Sequence, residues 1–286
     1  MFLWELKAPA AKPSIPVGKE AFEKIDETKI YWLGAATFLI NARGTIILFD
    51  PVMQYKEGST TIAEIDDAPL KIKYPIMAYD VPRCDAIFYS HSDDDHLARG
   101  SAKTLAKLEP KFFGPPPVFE KLARTGIDLD LVTSCRSEDV FEFPNCTITV
   151  FPADHPWQLQ DPRTKGKPFR DGDSVGYIVD TPDVRFFYPG DTRLMEKHLY
   201  LKGVELLATD VSLCTYHINP LGAAMLANIM EDALLLPYHY GTFDEPDVPA
   251  HCGDPVDVME MTDNGKERMY IQAPGDPLCF KDHKLV

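Results

Sequence analysis

No run of 18 or more apolar residues occurs in this 286-residue sequence, so no hydrophobic helix long enough to span a membrane is expected. Paired cysteines are lacking too. Cys84, Cys135, Cys146, Cys214, Cys252 and Cys279 are irregularly spaced and none forms a CxxC pair. In a chain of this size that argues for free thiols, and hence for a reducing, cytoplasmic setting. The first ten residues carry Glu5 and Lys7 and no long apolar core, so they do not read as a secretory signal. Basic charge is scarce: 29 Lys and Arg against 44 Asp and Glu leave a formal net charge of −15. Such a chain repels polyanions, so nucleic acid is not an expected partner. A small anionic substrate stays open, because bound metal ions would bring their own positive field.

Apolar material is ample. Hydrophobic residues make up 45% of the chain, enough to bury a sizeable core without staples. Residues 1–28, with Pro13 and Pro16, read as an N-terminal extension, and 29–286 as a single domain. Residues 30–34 and 37–40 are strand-like, and 45–51 follows a Gly-containing turn at 41–44, as in a hairpin. Residues 52–82 form a long polar insertion. The almost wholly apolar run 85–90 has buried-strand character and delivers the chain into His91. Helices are expected at 100–109, 117–125 and 220–230, the last capped by Asn219 with Pro220 in its first turn. Further strands fall at 147–151, 174–180, 185–188, 206–209 and, finally, 234–236. Strands alternating with helices twice over predict an α/β sandwich. Gly114-Pro115-Pro116-Pro117 reads as a rigid connector, and Asp171-Gly172-Asp173 as a turn too short for a calcium loop.

Potential ligands stand at the ends of these apolar runs: His91 after 87–90, His155 after 150–154, Asp191 after 186–190 and His239 after 234–238. Rigid strands place such residues accurately. The segment His91-Ser92-Asp93-Asp94-Asp95-His96 holds five potential ligands in six positions. No single face of a helix or strand accommodates that, so a tight loop must divide them between two metal ions. Three consecutive aspartates alone would suggest a solvated loop or a helix cap. Two bracketing histidines behind a buried strand favour metal instead. Asp154 could steady its neighbour His155 or sit in a solvated turn. His198 and His217 stand apart, as surface or core histidines usually do. Trp157 and the loop at 156–173, with the insertion at 52–82, are expected to shape the substrate entrance.

The ordered set resembles the metallo-β-lactamase superfamily, whose mark is a His-x-His-x-Asp-His loop, then a lone His, an Asp in a Gly-Asp-Thr-like turn and a last His. Here these are 91–96, His155, Gly190-Asp191-Thr192 and His239. Trp32-Leu33-Gly34-Ala35-Ala36-Thr37, Asp50-Pro51 and Pro237-Tyr238-His239-Tyr240-Gly241-Thr242-Phe243 resemble the branch of ascorbate-6-phosphate lactonase and the N-acyl-phosphatidylethanolamine phospholipase D-like proteins. The resemblance implies a four-layered αββα sandwich and two divalent metal ions. It assigns His91, Asp93 and His155 to the first, Asp95, His96 and His239 to the second, and Asp191 as the bridge, with Asp95 and Asp191 acting in catalysis.

One position departs from the pattern: Asp93 stands where the second histidine is usual. A carboxylate there makes the first site harder, shifting preference from zinc toward iron or manganese. Flavodiiron proteins and a diiron hydroxylase of antibiotic assembly carry a glutamate at this place. The alternative is a single metal at Asp95, His96 and His239. The resemblance implies hydrolysis of a small-molecule ester, lactone or phosphodiester by a hydroxide held between the metals, with a proton donor such as His217 assisting the leaving group. The alternative function is an oxygen-dependent diiron oxidoreductase, and a scaffold without activity ranks last. A homo-oligomer is compatible with either.

Overall fold

The computed structural model describes residues 6–53, 70–156 and 172–286. Two sheets lie face to face. The first joins β1 (Thr28–Gly34), β2 (Thr37–Ala42), β3 (Thr45–Phe49), β4 (Ala86–Phe88), β5 (Lys111–Gly114) and β6 (Val132–Ser134), with β13 (Pro277–Lys281) and β14 (Lys284–Leu285) extending it beyond β1. The second runs in the order β12 (Leu234–Tyr238), β11 (Leu206–Asp210), β10 (Arg185–Tyr188), β9 (Val175–Asp180), β8 (Cys146–Pro152) and β7 (Val140–Phe143). Helices α1 (Arg99–Leu105) and α2 (Pro116–Thr125) cover the first sheet. Helix α4 (Asn219–Ile229) covers the second and packs on α5 (Pro255–Met261). The short helices α3 (Glu196–Leu199) and α6 (Gly265–Arg268) fill joints. This is the expected four-layered αββα sandwich.

The pleat explains why whole strands are apolar. In β3, Ile47 and Phe49 face the other sheet, while Ile46 and Leu48 face the helical layer with Leu105 and Leu122. Both faces are covered, so alternation of polar and apolar residues is not needed. Between the sheets Phe38 meets Phe186 and Tyr238, each with ring centroids 5.6 Å apart.

Several expectations move. The hairpin at 37–49 forms as β2 and β3, in register from Phe38–Phe49 to Ala42–Thr45. The strand at 234–236 is not the last, since β13 and β14 follow. The triple proline is more than a connector: Pro115 caps α2, and Pro116 and Pro117 form its first turn, where missing N–H groups cost nothing. Helix α4 begins at Asn219, one residue earlier than expected, and the Asn219 Oδ1 accepts from the Gly222 N–H at 3.1 Å within its first turn. At the other end of α4 the buried Arg268 guanidinium donates to the carbonyls of Ala227, Met230 and Ala233 at 2.7–2.9 Å. Part of the insertion is packed, with Ile72, Tyr74 and Ile76 buried and Leu70 bridging to Phe243. Residues 54–69, and Trp157 and Asp171 with the loop between them, lie outside the described residues, as does their expected role at the entrance. Among the described residues no helix is long and apolar enough to cross a membrane. All six cysteines are unpaired thiols.

Residues 6–27 lie along the domain. The Ala11 N–H donates to the Gly241 carbonyl at 3.1 Å, and the Gly253 N–H donates to the Lys7 carbonyl at 2.9 Å. Gly241 has a φ of 64°, and a Cβ there would meet Ala11 N at 2.2 Å. Only glycine fits so close a strap.

Candidate metal centre

Strands β3 and β4 are parallel, as are β10, β11 and β12, so their carboxyl ends share one edge of the sandwich. Asp50 follows β3, His91 follows β4, Asp191 follows β10, Asp210 ends β11, and His239 follows β12. His155 arrives from β8. The turn at Gly190 has a φ of 64°, and a Cβ there would lie 2.8 Å from that of Ser90. The glycine thus lets Asp191 sit against the His91 loop.

Asp191 is the hub. Its Oδ2 lies 3.2 Å from His96 Nε2, 3.2 Å from His217 Nε2 and 3.8 Å from His91 Nε2. Its Oδ1 lies 3.3 Å from His239 Nε2. Asp93 Oδ2 lies 3.4 Å from His91 Nε2 and 3.6 Å from His155 Nε2. Asp95 Oδ2 lies 4.0 Å from His96 Nε2. All seven residues singled out in the sequence therefore converge. Three trios have donor atoms within 4.8 Å of one another: His91, His155 and Asp191; Asp95, His96 and His239; and Asp191, His217 and His239.

Asp94 is not part of this set. Its carboxylate turns outward to Lys121 of α2 at 2.7 Å, and the same ammonium donates to the Ser92 carbonyl at 2.6 Å. A single lysine thus ties the middle of the loop to a helix. Asp154 also points away, pairing with Arg193 at 2.6 Å. His198 lies in the core near Phe151 and Phe187, where burial lowers its pKa to about 4.

The far nitrogen of each imidazole is fixed. His96 Nδ1 faces Asp50 Oδ2 at 2.8 Å, His217 Nδ1 faces Asp210 Oδ2 at 2.8 Å, His155 Nδ1 faces the Tyr216 carbonyl at 3.2 Å, and His239 Nδ1 faces the Ala250 carbonyl at 3.1 Å. Carbonyl and carboxylate oxygens only accept, so each Nδ1 carries a hydrogen, and Nε2 is the nitrogen that would ligate an ion once the ring is neutral. Such outer partners are typical of ligating histidines. Asp50 is fully buried and also accepts from the Ser90 N–H at 2.7 Å, the Ser90 hydroxyl and the Tyr188 hydroxyl. Since the Ser90 hydroxyl donates to Asp50, its oxygen accepts from His91 Nδ1 at 2.9 Å.

The donor set fits metal ions on its own chemistry. His96 Nε2 and His239 Nε2 stand 3.1 Å apart with both Nδ1 atoms already donating. Two ring nitrogens at that distance need a shared cation, a proton or a metal ion. The electrostatics point the same way. Burial opposes a charge on Asp191, but His217, His239 and His96 hold its carboxyl well below the usual range. Burial likewise opposes a charge on Asp93, yet His91 and His155 bring it down to about 2. Burial lowers the His239 pKa, but Asp191 outweighs it and holds the ring at about 9.

Sequence reasoning misses two contributors and understates a third. His217, expected at most as a proton donor, stands among the converging imidazoles. Asp210 ends a buried strand as the ligand runs do, and that pattern marks it. Asp50 was noted only within its Asp-Pro pair, and its role depends on contacts 40 to 138 residues away.

Comparison with known proteins bears on this edge of the fold. Residues 45–240 match the beta-lactamase superfamily domain. N-acyl-phosphatidylethanolamine-hydrolyzing phospholipase D 1 of Caenorhabditis elegans is 27% identical over 236 residues, which cover 74% of this chain and 63% of that protein. The chain thus spans less than two thirds of that relative's length. A metal-dependent hydrolase of Anaeromyxobacter sp. (strain K) is 24% identical over 264 residues, covering 89% of this chain and 87% of that protein. Among solved structures, Igni18, a metallo hydrolase from Ignicoccus hospitalis, superposes with a TM-score of 0.65 at 17% identity, covering 89% of this chain and 99% of that one. At that identity the likeness speaks for the fold.

Proposed function

Because the chain belongs to the beta-lactamase superfamily, we propose that it is a metal-dependent hydrolase with a dinuclear centre, acting on a small-molecule ester, lactone or phosphodiester. The observation that carries this is the convergence of five imidazole Nε2 atoms on Asp191 and Asp93. His91, Asp93 and His155 would hold one ion, Asp95, His96 and His239 the other, and Asp191 would lie between them. Three carboxylates against two divalent ions leave a charge of about +1, suited to an anionic substrate group. When bound, the ions supply Lewis acidity and lower the pKa of water toward neutrality.

The chain's own residues do the rest. Asp50, Ser90 and Asp210 fix the imidazoles so that little reorganisation is needed on binding. His217 has its Nδ1 on Asp210 and its Nε2 at the hub, which places it to hold a proton for the leaving group.

Zinc is the metal proposed first. Asp93 removes one nitrogen from the usual pattern, but His91, His155, His96 and His239 leave four imidazoles against three carboxylates, so the centre is not carboxylate-rich as a whole. Asp93, beside both His91 and His155, is the single feature that favours the diiron alternative. Elemental analysis after expression with zinc and iron supplied, followed by a panel of lactones, esters and phosphodiesters, tests the proposal. About two zinc ions per chain and chelator-sensitive turnover are expected. Two irons with oxygen uptake by the reduced protein would replace hydrolysis with the redox alternative.

A further inference from the structure

Beyond the ligands, Glu245 and His251 stand beside Asp95. Both follow His239 in sequence, with His251 ending a 3-10 turn at Pro249–His251. His251 Nε2 lies 3.5 Å from Asp95 Oδ2, and its Nδ1 makes a short contact with Glu245 Oε2. The ring packs on Phe243 with centroids 4.6 Å apart. With Ala35, His239 and Thr242 these rings line a small recess. The His251 side chain is only 10% exposed, so this is not a solvated surface pair.

Both of its ring nitrogens face carboxylate oxygens. Its Nε2 turns to Asp95, whereas the five imidazoles of the centre turn Nε2 to Asp191 or Asp93. Consistent with this, the trio that joins Asp95 to His96 and His239 leaves His251 out. The Asp95 carboxylate has few other restraints: it is 19% exposed, and its distance to His96 Nε2 is 4.0 Å. A hydrogen-bond donor held from behind by a second carboxylate would set which oxygen Asp95 turns inward.

From these contacts we infer that Glu245 and His251 form a relay that orients Asp95, making His251 a positioning residue of the second ligand group. The inference rests on the ligand assignment proposed above. It predicts that the pair matters to one ion and not the other.

The test is titration of the metal-free protein with cobalt(II), read by visible absorbance, in wild type and in D95N, H155Q, H251L, E245Q and H251Q. H251L and E245Q should weaken the binding step that D95N weakens by about 10- to 100-fold and shift its absorbance band. The step sensitive to H155Q should be unchanged, and H251Q, which restores a donor, should recover part of the loss. Cobalt binding by H251L as in wild type, or a loss shared equally by both steps, would overturn the relay while leaving the ligand assignment intact. If wild type binds in a single step, the comparison of H251L with D95N is made on that step. No cobalt uptake by wild type, or indifference of D95N, would remove the ligand assignment and the relay together.

Discussion

Replacing Asp50 by asparagine should cripple the centre without touching any proposed ligand. Asp50 Oδ2 receives three donors: the Ser90 and Tyr188 hydroxyls and His96 Nδ1. An amide nitrogen in that place donates instead of accepting. The two hydroxyls can rotate and accept from it, but a ring N–H cannot rotate. His96 must then move its hydrogen to Nε2, which turns an inward lone pair into an inward N–H. Losing a hydrogen bond to a charged group costs about 1.5–3 kcal/mol, which urea unfolding of the metal-free protein would show. The larger effect is on the ion: a lost outer partner lowers metal affinity by about 10- to 100-fold. Zinc titration of D50N against wild type reads this directly. Normal zinc affinity in a destabilised D50N would mean that Asp50 only supports the fold, and would refute the tautomer reasoning.

Other substitutions separate the scaffold from the site. Lys121→Met removes both ties between α2 and the ligand loop, and should cost about 1–3 kcal/mol in urea unfolding and reduce metal content at limiting zinc. Arg268→Leu removes the guanidinium hydrogen bonds to three carbonyls around the end of α4, and should cost about 3–5 kcal/mol while zinc titration stays as in wild type. Asp183→Asn tests pH dependence: burial raises the Asp183 pKa, but Arg43, the Asp282 N–H and Thr28 outweigh it and hold the folded value below 3.8. A lowered folded pKa adds stability above the unfolded value and loses it as pH falls through the folded one. Wild type should therefore exceed D183N in unfolding experiments at pH 7, and the gap should close below about pH 3.8; a gap that persists in acid would contradict this. Removing metal with a chelator should lower the melting temperature and abolish turnover, and zinc should restore both.

What the sequence disclosed follows from how local each signal is. Runs such as 85–90 and 186–190 are apolar because their strands are covered on both faces, so ligands at their ends stand out. Strand β5 escaped notice because Lys111–Gly114 is four residues long and runs into prolines that suggest a linker. Strand β13 pairs with β1 across nearly the whole chain, with β14 beyond it, a partnership that no local pattern announces. The same holds for the site. Spacing within 91–96 was enough to expect a metal loop, but not to see that Asp94 faces Lys121 while Asp93 and Asp95 face inward. His217 and His251 carry no local mark, and only the convergence of loops shows where they lie.

The strap along Gly241 ties the start of the chain to the loop behind His239, and this has a consequence for biosynthesis. The loop at 91–96 leaves the ribosome 143 residues before His239 does, roughly 7–30 s at ordinary rates of elongation. Throughout that interval the growing chain displays two histidines and three aspartates with no His239 to complete them, and for the first 95 residues of it no Asp191 either. The ligand set closes only when β12 has paired with β11 and the waiting N-terminal segment can dock on Gly241. On the proposed ligand assignment, uptake of the full metal complement would therefore be a late, essentially post-translational event, selected by the closed edge of the sandwich.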